Sequence, residues 1–152
     1  GFTLYDTVAY NYRHNEANGE DNRDGSEFNY SWNCGIEGAT RKQAIRKMRE
    51  QQMRNAFLML LLSQGTPMIY GGDEFANSQA GNNNAWCQDN AVGWTDWKNA
   101  KKQENLSTFV KEAIAFRKKT SNPSYATGNA WSGLHGEGIS GYFCTWGTCM
   151  VS

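Results

Sequence analysis

Residues 40–64, TRKQAIRKMREQQMRNAFLMLLLSQ, run without a single Gly or Pro and stop at Gly65-Thr66-Pro67. Thr40 can cap the segment and the Gly-Thr-Pro sequence ends it, so the spacing predicts a helix over 40–64. Its first half carries Arg41, Lys42, Arg46, Lys47 and Arg49, which reads as a solvated face. Its second half, Met53 and Ala56 to Leu62, is apolar nearly all round and therefore expected to be buried. The short run Pro67 to Tyr70 follows, bounded by Gly71-Gly72, and reads as a strand buried on both faces, as in a parallel sheet. Helix, tight turn, buried strand and glycine exit together make one step of an α/β fold.

The rest of the chain is arranged around that unit. Residues 1–12 have helix-like apolar spacing at Leu4, Val8 and Tyr12, which predicts a short helix or turn. Arg13 to Ala39 is a long polar stretch rich in Asn, Gly, Asp and Glu, the pattern of a functional loop. Asn105 to Lys119 forms a second amphipathic helix with Leu106, Phe109, Val110, Ala113, Ile114 and Phe116 on one side. Beyond residue 120 the composition shifts to Gly, Ser and aromatics. The expected organisation is thus residues 1–120 as one unit and 121–152 as an unassigned tail, with short strands near Ile139 to Thr145.

Composition narrows the partners. Fifteen basic and fifteen acidic residues cancel, so nothing favours nucleic acid or an anionic membrane surface. Mean hydropathy is −0.73, yet aromatics reach 13%. Aromatics in so polar a chain suit surfaces that stack on sugar rings, besides their ordinary packing. The four cysteines (Cys34, Cys87, Cys144 and Cys149) match no zinc spacing, and no metal or cofactor is expected. A Cys144–Cys149 bridge across a tight turn is open to an oxidising compartment, with free thiols the default. No stretch is long and apolar enough to span a bilayer, and no signal peptide is visible, so the expected location is cytoplasmic. The sequons at Asn29 and Asn105 then carry no meaning. The chain opens on Gly1 without an initiator Met, the mark of a processed or partial chain.

The segment EDNRDG invites a calcium reading. Aligned with an EF-hand loop, Glu20, Asn22, Asp24 and Gly25 occupy the first, third, fifth and sixth positions. Ser31 then stands at the twelfth, where a bidentate Glu is required. The match fails, and a loop held by local Asn and Asp hydrogen bonds accounts better for it.

Four stretches, in continuous order over roughly residues 1–120, carry a family resemblance: GFTLYDTVAYNYRHNEANGEDNRDG, NYSWNCGIEG, LLLSQGTPMIYGGDEF, and SQAGNNNAWCQDN followed by WTDW. The chain resembles the debranching branch of the α-amylase superfamily: glycogen debranching enzymes, isoamylases and pullulanase-type proteins. The resemblance implies an α/β fold that is part of a (β/α)8 (TIM) barrel, from after strand 7 through helix 8. Arg41–Gln64 becomes the seventh outer helix, Met68–Tyr70 the eighth strand and Asn105–Lys119 the eighth helix, with an irregular Gly- and aromatic-rich tail that matches nothing in the family. Barrel strands deliver their C-terminal ends to the active-site face. Gly71, Gly72, Asp73 and Glu74 are therefore expected at the rim of the substrate cleft in a structural role, Glu74 holding the loop by hydrogen bonds.

The implied activity is retaining hydrolysis of α-1,6-glucosidic branch points in glycogen or a related α-glucan, through two carboxylates roughly 5 Å apart. In the family these lie on earlier strands, and a third Asp directly precedes a Gly-Phe-Thr-Leu-like segment. All three are expected upstream of Gly1, which leaves the isolated chain inactive. Asp73 and Glu74 are poor substitutes, since adjacent residues leaving a strand point in different directions. Substrate contacts are expected from Asn82, Asn83, Asn84 and Trp86, whose amides and indole suit sugar hydroxyls and ring faces, and from His14 and Asn15 in the preceding loop. The three Asn could equally stabilise turns. A part of a barrel exposes strand edges and an apolar helix face, so self-association or a missing barrel portion is the expected partner. A non-catalytic glucan-binding module and an inactive structural remnant are the competing readings.

Overall fold

The computed structural model describes residues 1–120 in full, together with the backbone of 142–145 and 148–151. The elements are α1 (Leu4–Thr7), α2 (Gln43–Leu62), α3 (Trp97–Lys102), α4 (Glu104–Thr120), β1 (Tyr142–Thr145) and β2 (Thr148–Val151). Single 3₁₀ turns lie at Glu16–Asn18, Asp73–Phe75 and Ala85–Cys87.

In α2 the buried residues are Arg49, Met53, Phe57 and Leu61, one stripe at every fourth position. In α4 they are Leu106, Val110 and Ala113. The two stripes face each other, and Val8, Cys34 and Ala76 close the core from the loops, with Leu4, Tyr5, Ile45 and Ile69 packed on its edge. Phe57 and Leu106 are 2% and 1% exposed, and burial of each contributes about 1.5–3 kcal/mol. Arg117, near the end of α4, donates to the carbonyls of Leu61 (2.6 Å) and Ser63 (2.7 Å). A cation there satisfies orphan carbonyls and complements the negative end of α2.

The α/β expectation is corrected by this arrangement. Among the described residues there is no parallel sheet and no part of a (β/α)8 barrel. The one sheet is the antiparallel hairpin β1–β2. Met68 to Tyr70 has no regular secondary structure and pairs with no strand among the described residues. A strand exists only where a neighbour accepts and donates along its backbone, and none is offered here. Burial on both faces fails with it. Ile69 packs on the core, whereas Met68 and Tyr70 are 67% and 55% exposed.

Two readings of α2 also change. Its apolar half is covered on one side only: Met59 is 68% and Leu62 57% exposed, and Leu58, Leu62, Phe109 and Phe116 line an open groove of about 250 Å³ between α2 and α4. Its basic half is not wholly solvated either. Arg49 is 2% exposed. Its guanidinium donates to the carbonyls of Gly38 (2.7 Å), Asn33 (2.9 Å) and Ile36, and lies over the Tyr5 ring. Arg49 thereby pins the 33–38 loop onto the helix.

The 13–39 segment is irregular apart from the turn at Glu16–Asn18. In the tail, the hairpin register sets Cys144 opposite Cys149. Residues 121–141 and the Cys144 and Cys149 side chains, with the bridge weighed for them, lie outside the described residues.

Candidate functional site

The loop after Tyr70 is built by backbone constraint. Gly72 has φ +103°, and a Cβ there would lie 2.7 Å from the Asn77 Cβ, so only glycine fits. The chain then makes the Asp73–Phe75 turn. Asp73 Oδ1 accepts from the Leu4 backbone N–H at 2.9 Å, and Glu74 folds back to accept from Gly72 N–H at 2.9 Å. Burial raises the Asp73 carboxyl to about 6; the Leu4 hydrogen bond opposes this, and the charges of Glu74 and Asp6 add to it. Asp6 is fully buried and accepts from Ser78 Oγ (2.5 Å) and Gln79 N–H (2.8 Å). Burial also raises its pKa, against those hydrogen bonds. Asp6, Asp73 and Glu74 each tie backbone to backbone.

Past Gln79 the chain meets the 13–29 loop across a lock of side-chain amides. Asn15, with no exposed surface, donates through Nδ2 to Asn83 Oδ1 (2.8 Å) and accepts at Oδ1 from Asn83 N–H (2.9 Å). Asn83 Nδ2 in turn donates to the Ser26 carbonyl (2.8 Å) and Asn29 Oδ1 (2.7 Å). Asn82 Nδ2 donates to Asn18 Oδ1 (2.8 Å), and its own oxygen accepts from Asn84 N–H (2.9 Å). Asn18 and Asn84 both donate to Asp24 Oδ2, at 2.7 and 2.8 Å. These two hydrogen bonds hold the Asp24 carboxyl below the usual carboxylate range. Amides suit this work because each offers donor and acceptor together.

A second carboxylate stiffens the other side of the loop. Glu37 accepts from the backbone N–H groups of Asn11 and Tyr12, from Asn33 Nδ2, and pairs with His14 Nε2 at 3.2 Å. Burial works against its ionisation, but these hydrogen bonds leave its pKa lowered. The backbone N–H of His14 also donates to the Gly81 carbonyl at 2.7 Å, and its ring meets Tyr10 edge-on.

In front of the amide lock lies a cleft of about 600 Å³ whose walls include Tyr70, Gln79, Asn83, Asn84, Trp86 and Gln88. Trp86 is 85% exposed, an indole face free to stack. Gln79 Nε2 donates to the Tyr70 hydroxyl at 3.2 Å, which leaves the hydroxyl proton free to donate onward. Of the residues singled out from sequence, Asn83, Asn84 and Trp86 line this cleft, while Asn15 and Asn82 stand behind it and His14 lies outside its walls. Tyr70, Gln79 and Gln88 are missing from the sequence-predicted contacts although all three lie in the stretches that carry the resemblance: Tyr70 carries the signal of a buried strand residue, and nothing in either Gln sets it apart from its neighbours. Among the described residues, no three His, Cys, Asp or Glu side chains gather as a metal site.

The chain is homologous to a segment of the debranching branch of the α-amylase superfamily. The relatives are glycogen debranching enzymes and isoamylases. It is 52% identical over 118 residues to the glycogen operon protein GlgX homolog of Mycobacterium tuberculosis, 78% of this chain and 16% of that protein. It is 49% identical over 131 residues to the glycogen debranching enzyme of Salmonella typhi, 86% of this chain and 19% of that enzyme. To the chloroplastic isoamylase 1 of Oryza sativa it is 42% identical over 138 residues, 91% of this chain and 17% of that protein. The chain thus spans less than a fifth of the length of these relatives. No protein-family model matches it.

Proposed function

We propose that this chain is the glucan-contacting portion of an α-glucan debranching glycoside hydrolase acting on α-1,6 branch points, and that it binds glucan without cleaving it. The observation that carries the reading is Trp86, an exposed indole on the wall of a polar cleft, in a chain about half identical to glycogen debranching enzymes. An indole face stacks on the apolar face of a glucose ring, and Tyr70, Gln79 and Asn84 offer hydrogen bonds to its hydroxyls. Of the residues expected to hold substrate, Trp86 and Asn84 touch sugar in this account. Asn15, Asn82, Asn83 and His14 fix the shape of the loops behind them.

Inactivity follows from the carboxylates. Retaining hydrolysis needs two of them facing one another across the scissile bond. Asp6, Asp73 and Glu74 stand outside the cleft lining and are each engaged by backbone N–H groups. A cytoplasmic location belongs to the same proposal, with Cys34 and Cys87 as free thiols and no helix of the described residues long and apolar enough to cross a membrane. Incubation of the purified chain with glycogen and with pullulan, followed by an assay for new reducing ends, tests it. The expected release equals that of buffer alone. Sustained release that disappears in Asp73→Asn or Glu74→Gln would overturn the proposal and make that pair catalytic.

A further inference from the structure

Among the described residues, Asn84 is the one side-chain amide lining the cleft that donates to a carboxylate. Its Nδ2 donates to Asp24 Oδ2 at 2.8 Å, and the same oxygen accepts from Asn18 Nδ2 at 2.7 Å. A charge-assisted bond is roughly twice as strong as a neutral one, and a carboxylate accepts only. The amide therefore cannot turn over without setting its own oxygen against a negative charge. Asn84 Oδ1 accepts no hydrogen bond among the described residues, and the residue lines the cleft. Its neighbour Asn83 is different: both its oxygen and its NH2 are consumed inside the lock.

We propose that Asp24 is a positioning residue that fixes the sense of the Asn84 amide, so that a cleft whose walls also carry the Tyr70 hydroxyl as a donor presents Asn84 Oδ1 as an acceptor. The proposal rests on the reading that this cleft takes glucan. It deepens that reading by specifying which way one substrate hydroxyl must point. A hydroxyl at that position has to donate to Asn84. A ligand group that accepts but cannot donate, such as a fluorine in place of the hydroxyl, is refused there. Asp24 touches no sugar itself, and acts only through Asn84 and, by way of Asn18, through Gln88, whose Nε2 donates to Asn18 Oδ1 at 2.9 Å.

The test uses the full chain, wild type and Asp24→Ala, with methyl α-maltoside and its monodeoxy and monodeoxyfluoro analogues, binding being read from Trp fluorescence. In the wild type, one deoxy position should lose about ten-fold in affinity, the size of one hydrogen bond, and fluorine at that position should restore nothing. In Asp24→Ala the released amide turns its NH2 outward, and the fluoro analogue at that position should recover to within about three-fold of the parent. Asp24→Asn, which keeps an acceptor oxygen without the charge, should fall between the two. An Asp24→Ala chain with the wild-type pattern across the analogues would overturn the proposal.

A second measurement needs neither glucan nor a variant. Proton exchange of the Asn84 side-chain amide, followed by NMR in the wild type, should be slowed by the bond to Asp24. Exchange at the rate of a free amide overturns the proposal directly. Slow exchange in a chain that binds no maltoside would sink the glucan reading while the positioning of Asn84 stands.

Discussion

Replacing Asp73 by Asn should stabilise the chain above neutral pH and do nothing below pH 4. The carboxyl is raised from its ordinary 3.8 to about 6, with burial as the largest cause and the charges of Glu74 and Asp6 adding to it. A raised carboxylate binds its proton more tightly in the folded chain than in the unfolded one. Stability is therefore full below the unfolded value and is lost as pH rises between about 4 and 6. The gap between about 6 and 3.8 corresponds to about 3 kcal/mol, and the partial exposure of Asp73 brings the expected cost nearer about 2 kcal/mol at pH 8. Asparagine keeps an oxygen to accept from Leu4 N–H but carries no charge to desolvate. Urea denaturation followed by circular dichroism at pH 4, 5, 6, 7 and 8 reads the difference. The wild-type and variant midpoints should coincide at pH 4 and separate above pH 6, the variant lying higher. Parallel curves across the range, or a variant that is weaker at pH 8, would refute the reasoning.

Arg49→Met removes the guanidinium donor from the carbonyls of Asn33, Ile36 and Gly38 and should cost about 3–5 kcal/mol in urea denaturation, with Arg49→Lys recovering only part. Gly25→Ala places a Cβ 2.2 Å from Asn83 Oδ1 at φ +74°. It should destabilise by about 2–3 kcal/mol and weaken maltoside binding in fluorescence titrations through loss of the Asn15–Asn83 pair. The exposed apolar stretch at Leu58, Met59, Leu62 and Phe116 should drive self-association, seen by sedimentation as mass rising with concentration and abolished by Met59→Lys with Leu62→Lys.

The two long helices were legible because each is a Gly- and Pro-free run with periodic apolar residues, and their ends fell within three residues of α2 and one of α4. The helix α3 was missed, although Asp96, which accepts from Lys98 N–H, marks its start; one turn and a half gives periodicity nothing to act on. The burial of Arg49 was also readable. It falls on the i+4 series Ile45, Met53, Phe57 and Leu61, but its charge hid it among the solvated basics. The strand at 68–70 failed for another reason. Local sequence reports propensity, while a strand depends on a partner whose position no window of residues contains. The amide lock was illegible in the same way, since Asn15 and Asn83 lie 68 positions apart. An Asn-rich loop reads alike whether its amides meet solvent, sugar or each other.

Native electrophoresis in gels with and without glycogen tests the central claim most directly, run on the wild type and on Trp86→Ala. The account predicts that glycogen retards the wild-type chain and that loss of one stacking face, about 1–2 kcal/mol, weakens that retardation by about five- to thirty-fold in Trp86→Ala. A wild-type chain whose mobility is indifferent to glycogen, or a Trp86→Ala chain retarded as strongly as the wild type, would contradict it.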